Sequence, residues 1–208
     1  MPMEPVSEST GFKVPEVLYS PTLIFAIILV IVYIILGITA GSLIDPIQSV
    51  PIIFLLMQCD TPVPVFPWTL ITTIFLHANI IHLLGNVFFL ILFGFILEEQ
   101  VSKTRWVMTF FITGLAGSVS FVAFDFLGYA LASPIPGAGY VDCAVGASGA
   151  VYGIMGAAVG LRVVIILILL LGLDIFAGGG TPAHLGGLVA GLVLRNYWSL
   201  AGRGFRGI

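Results

Sequence analysis

The sequence predicts an all-α, polytopic membrane protein: a bundle of six transmembrane helices with the N-terminus and C-terminus both cytoplasmic. Three observations predict it. Of 208 residues, 59% are hydrophobic and 8% charged, whereas a soluble domain carries about a quarter charged residues. Folded in water, such a chain would have too few polar groups to cover its surface. The chain's mean hydropathy is +1.18, and its apolar residues gather into runs close to the roughly 20 that cross a hydrocarbon core as a helix. Finally, a six-span layout places every Lys and Arg on one side.

The first span covers residues 22–41, the second about 79–97 and the third about 106–124. A fourth runs from about 147 to 161, a short fifth from 163 to 177, and the sixth from about 183 to 197. With these spans Lys13, Lys103, Arg105, Arg162, Arg195, Arg203 and Arg206 share one face, while Asp45, Asp60, Asp125, Asp142 and Asp174 fall in the opposite loops. The positive-inside rule makes the basic face cytoplasmic. The chain divides into a cytoplasmic segment (1–20), a membrane domain (21–198) and a cytoplasmic tail (199–208). The first 20 residues hold three Glu and one Lys, unlike the basic start of a signal peptide, so no cleavage is expected.

Between the fourth and fifth spans Gly160-Leu161-Arg162-Val163 leaves room for only a very tight hairpin. The first outer loop, about 42–68, contains a short apolar run flanked by prolines, expected either to lie in the outer membrane interface or to pack over the helix ends. Cys59 and Cys143 both fall on the outer side. Two cysteines fix no pairing, and separate free thiols are expected. Trp68, Trp106 and Trp198 sit at span boundaries, as in an aromatic belt. There is no basic patch with interleaved aromatics, so nucleic acid is not an expected partner. A transporter would need paired intramembrane charges and inverted repeats, which are not seen.

Strongly polar groups at membrane depth are costly and suggest function. Here they are His77, His82, Asn86, Ser148, Tyr152 and His184. In the predicted topology His82, Asn86, Ser148 and His184 come from three spans yet share the outer leaflet. His82 and Asn86 are four apart on one helix face, as are Ser148 and Tyr152. Gly149, Gly153, Gly156 and Gly160 give the fourth span a flank almost free of side chains. His184, Gly187 and Gly191 share a face of the sixth. Small residues at this spacing let helices approach closely, which would bring Ser148 to His184.

That pairing suits serine hydrolysis. A serine hydroxyl needs a base within hydrogen-bond reach, and the oxyanion formed on attack needs preorganised donors. Ser148 is the expected nucleophile and His184 the base, with His82, Asn86 and the Ser148 amide at the oxyanion. Asp142 and Asp174 are the fallback for a third member. Alone, GASG would read as helix-packing filler, and the three other polar groups at its depth reverse that. His77 is rotated about 140° from the His82/Asn86 face and reads as an interfacial or loop-bonding residue. A three-histidine zinc site lacks HExxH and adjacent carboxylates, so no metal or other cofactor is expected.

His77-x4-His82-x3-Asn86, Gly146-Ala147-Ser148-Gly149 with Tyr152, and Ala183-His184-x2-Gly187-x3-Gly191 occur in order on the second, fourth and sixth spans. In this the chain resembles the rhomboid intramembrane serine proteases over about residues 20–197. The resemblance implies a Ser148–His184 dyad, His82 and Asn86 at the oxyanion, Gly146, Gly149, Gly187 and Gly191 in support, and Tyr152 packed on the histidine ring. It also implies that Glu98 caps the second span. The partners it implies are the lipid bilayer and single-span transmembrane proteins as substrates, cleaved toward the extracytoplasmic side of the cell membrane. Three departures stand out: the first outer loop has no arginine, Ser102 replaces the glycine of an LExxxG element, and the turn between the fourth and fifth spans is abbreviated. The competing reading is a non-catalytic relative that binds or escorts transmembrane helices.

Overall fold

The structure, a computed structural model, describes residues 19–44, 46, 55–59, 66–132, 143–163 and 180–200. Most of it is helix. The helices are α1 (Pro21–Ala40), the short α2 (Thr69–Thr72), α3 (Ile80–Glu98), α4 (Lys103–Ala132), α5 (Ser148–Val159) and α6 (Thr181–Tyr197). Two-residue strands β1 (Gln58–Cys59) and β2 (Cys143–Ala144) pair antiparallel, Gln58 opposite Ala144 and Cys59 opposite Cys143.

α1, α3 and residues 103–124 of α4 are long and apolar enough to cross a membrane. Their large apolar side chains point outward as well as inward. Ile24, Ile27, Ile31 and Ile35 form an exposed stripe on α1, and Leu84, Phe88, Leu92 and Phe95 one on α3. Such stripes suit contact with lipid, where exposing an apolar flank has no hydrophobic cost. The predicted first, second, fourth and sixth spans match α1, α3, α5 and α6 to within a few residues. The predicted fifth span lies outside the described residues, as do Asp45, Asp60, Asp142 and Asp174 and the outer loop's residues 47–54.

Several expectations are corrected. α4 begins at Lys103 and continues to Ala132, so Asp125 lies within a helix and not in a loop. Cys59 and Cys143 are disulfide-bonded, Cα–Cα 4.0 Å; the strand pairing sets them opposite each other across 84 residues of sequence, which no local pattern reveals. Trp106 is buried, stacked on Phe110 and donating to the Gly94 carbonyl (3.0 Å). Trp198 is also buried, and only Trp68 of the three is exposed. Glu98 ends α3 but caps α1: its Oε1 accepts from the Ser20 hydroxyl and the Thr22 amide, both at 2.7 Å. A carboxylate at a helix N-terminus satisfies orphan amides and meets the positive end of the dipole.

α5 is the central helix, packed against α3, α4 and α6. Every residue from Gly149 to Val159 is buried except Tyr152. Its C-terminus turns sharply: Gly160 takes φ +63° and starts a 3-10 turn, Gly160–Val163. The carbonyls left without helical partners there are met by Arg195 of α6. Its Nη1 donates to the Ala157 and Ala158 carbonyls (2.7 and 2.8 Å) and its Nη2 to the Leu200 carbonyl (3.1 Å). Gln100 also donates to the Ala158 carbonyl (2.9 Å). Arg195, counted in the sequence only by the face it lies on, is thus a buried cap, favoured by the negative end of the α5 dipole.

Charged hydrogen bonds contribute about 1.5–3 kcal/mol each, and their loss strands buried carbonyls. Arg195→Met should therefore lower the thermal unfolding midpoint in detergent clearly, with Arg195→Lys intermediate. Equal midpoints for all three proteins would remove the capping role.

Candidate active site

The loop after α1 is tied down before it reaches the site. The Trp68 indole donates to the Leu55 carbonyl (2.8 Å) and the Thr72 hydroxyl to the Leu56 carbonyl (2.7 Å), holding the approach to β1. β1 is held to β2 by the strand ladder and the disulfide. Thr73 then grips the end of β2 and the chain just after it: its hydroxyl donates to the Ala144 carbonyl (2.5 Å), and its carbonyl accepts from the Gly146 amide (3.0 Å).

Gly146 swings the chain from this ladder into α5 with φ +133°, where an L side chain is strained. A Cβ there would also stand 2.7–2.8 Å from Cε1 and Nε2 of His82 and 3.7 Å from the Ser148 Oγ. The His82 ring and the Ser148 hydroxyl therefore flank the same α-carbon. Ser148 is the first residue of α5, where helical amides lack partners in the helix and the dipole is positive. These features suit a developing negative charge.

His184 lies in the first turn of α6, and its Nε2 is 2.6 Å from the Ser148 Oγ. With Nε2 accepting from the hydroxyl, the ring proton resides on Nδ1. Tyr152, one turn along α5 from Ser148, stacks on the imidazole with centroids 4.5 Å apart and planes 7° from parallel. Glycines permit this approach. A Cβ on Gly187 would collide with the Gly149 carbonyl, and one on Gly191 with the Gly153 carbonyl. α4 joins the same seam: a Cβ on Gly117 would lie 2.8 Å from the Ala183 carbonyl.

His82 and Asn86 occupy the first two turns of α3. Asn79 caps that helix by accepting from the His82 amide (2.9 Å). Asn86, 6% exposed, donates to the His82 carbonyl (3.0 Å) and retains a second amide hydrogen. His82, Asn86, Gly146, Ser148, Tyr152 and His184 all line one cavity of about 690 Å³. All the sequence-predicted polar residues gather there except His77, which is wholly buried beside the His82 ring, centroids 5.3 Å apart. It is not interfacial. Thr73, Asn79 and Gly117 were missed by sequence reasoning. Asn79 had a readable signal, an Asn just before an apolar run. Thr73 and Gly117 act only through residues distant in sequence.

A model of the Rhomboid domain matches residues 66–199. The chain belongs to the rhomboid family. It is 33% identical over 143 residues to RHOMBOID-like protein 6, mitochondrial, of Arabidopsis thaliana, covering 61% of this chain and 42% of that protein. RHOMBOID-like protein 1 of the same plant is 29% identical over 143 residues, 61% of this chain and 33% of that one. Rhomboid protease GluP of Bacillus subtilis is 29% identical over 139 residues, 60% of this chain and 24% of that protein. The matched region thus spans less than half the length of each of these relatives. Family membership and the apolar helices make this rhomboid an integral membrane protein.

His77 gives the site region a pH signature. Burial pushes its imidazole down from the ordinary 6.5 to about 3; nearby His82 adds to the shift, and the Phe75 backbone opposes it. The folded protein keeps His77 neutral well below the pH at which the unfolded chain protonates it. Its contribution to stability is complete above about pH 6.5 and is lost as pH falls toward 3. The unfolding midpoint should fall between pH 7 and pH 4, and His77→Phe should flatten that slope. Parallel profiles for the two proteins would contradict the assignment.

Proposed function

We propose that this rhomboid is an intramembrane serine endopeptidase that cleaves membrane-anchored proteins near the outer leaflet with a Ser148–His184 dyad. The observation that carries the reading is the 2.6 Å hydrogen bond between the Ser148 Oγ and the His184 Nε2. On attack, the Ser148 Oγ bonds to the scissile carbonyl carbon while its proton passes to His184 Nε2. The carbonyl electron pair moves onto oxygen, where the Ser148 amide, the His82 ring and Asn86 are the candidate donors. Collapse expels the amine, which takes the proton from His184. Water, deprotonated by His184, then hydrolyses the acyl-serine ester. Tyr152 keeps the imidazole in plane through both transfers.

A transmembrane helix hides its carbonyls in hydrogen bonds, so a substrate must unwind locally to reach Ser148. Single-span proteins that unwind near small residues are the substrate class of this reading. The dyad faces the extracytoplasmic side of the cell membrane. The bundle has six spans, with residues 1–20 and 199–208 cytoplasmic, and the seven basic residues on one face support that orientation. The rival role, a non-catalytic helix escort, would not need a serine hydroxyl paired with an imidazole.

Labelling with a fluorophosphonate probe in detergent separates these readings. Wild type should label at Ser148 and cleave a transmembrane peptide. Ser148→Ala should do neither, and His184→Ala should lose at least about a thousandfold in rate. A folded wild type that neither labels nor cleaves would leave the escort role.

A further inference from the structure

Gln58 has no part in the dyad, yet it combines three properties. Its side chain is wholly buried (0% exposed). Neither its Oε1 nor its Nε2 has a hydrogen-bond partner. It also lines the cavity that holds Ser148 and His184. Leaving both ends of a buried amide unpaired costs stability that an apolar side chain of the same size would not. His77 is likewise unpaired, but it does not line the cavity.

We propose that Gln58 is a substrate-binding residue that pairs with a backbone peptide group of the unwound substrate. The inference rests on the protease reading above and extends it. A segment unwound for cleavage has lost its helical hydrogen bonds, and in a lipid setting each bare N–H and C=O needs a new partner. A carboxamide carries one acceptor oxygen and a two-hydrogen donor, so it can meet both halves of a peptide group. Size favours a peptide as occupant. The cavity measures about 690 Å³, whereas one water takes about 30 Å³.

Placement agrees with this role. Gln58 is opposite Ala144 in the strand pair, and β2 leads through Gly146 to Ser148 four residues later. The neighbouring Cys59–Cys143 disulfide makes this ladder a rigid base. From its covered position the Gln58 side chain turns into the cavity when the substrate enters.

The test uses the full chain and Gln58→Met, which keeps the side-chain length and removes both polar atoms. Three quantities are measured: the fluorophosphonate labelling rate of Ser148, kcat/KM on a transmembrane peptide, and the thermal midpoint. The small probe has no peptide backbone to pair. Labelling should stay within about twofold, kcat/KM should fall at least tenfold, mainly through KM, and the midpoint should hold or rise. Unchanged kcat/KM would overturn the proposal. So would labelling that falls in parallel with cleavage, or a lowered midpoint, which would make the amide a structural bond. If wild type neither labels nor cleaves, the protease reading fails and this inference falls with it. If wild type does both and Gln58→Met matches it, only Gln58 is at fault.

Discussion

The end of the bundle that holds the candidate site depends on how closely α5 and α6 can approach. Ser148 and His184 are 36 residues apart and belong to different helices, so only helix packing can bring them within 2.6 Å. Backbone meets backbone at Gly187 against Gly149 and at Gly191 against Gly153, with no space for a methyl group at either. In lipid, helices gain little from burying apolar surface against each other, and close backbone packing is the substitute. The same contact that holds the bundle together therefore sets the serine–histidine distance. Tyr152 and Gly117 refine it, the first by stacking on the imidazole and the second by letting α4 close over the seam.

The loop between α1 and α2 supplies the second constraint. Thr73 binds the chain on both sides of Val145, and the disulfide fixes the strand pair just upstream. Gly146 can then take its unusual φ and seat the His82 ring beside it. At the opposite end Arg195 and Gln100 close the carbonyl terminus of α5. The central helix is thus held at both ends by groups outside it.

Much of the candidate site's geometry was legible because it is carried by helical periodicity. Ser148 and Tyr152 are one turn apart, as are His82 and Asn86, and the glycines follow the same spacing. Each is a local statement that a sequence makes openly. What stayed hidden depends on contacts between distant segments. The Cys59–Cys143 bond, the Thr73 grip on β2 and the unpaired amide of Gln58 arise from a strand pair only two residues long, too short to leave a pattern. The capping role of Arg195 was hidden for a related reason: a basic residue near a span end reads simply as a marker of the cytoplasmic face, and nothing local shows that it meets the C-terminus of α5. Trp106 misled likewise, since an indole at a span boundary suits the interface as well as a core.

The central claim is that glycine packing sets the dyad, and one comparison tests it most directly: the rate at which Ser148 is phosphonylated in Gly187→Ala and in Gly85→Ala. A methyl on Gly187 strikes the Gly149 backbone one turn from the dyad, while a methyl on Gly85 meets nothing within 4 Å. A displacement of about 1 Å can cost a hundredfold in rate. Labelling at a temperature where all proteins remain folded should therefore drop at least tenfold for Gly187→Ala and stay at the wild-type rate for Gly85→Ala. If folded Gly187→Ala labels as fast as wild type, the spacing between α5 and α6 does not control the dyad.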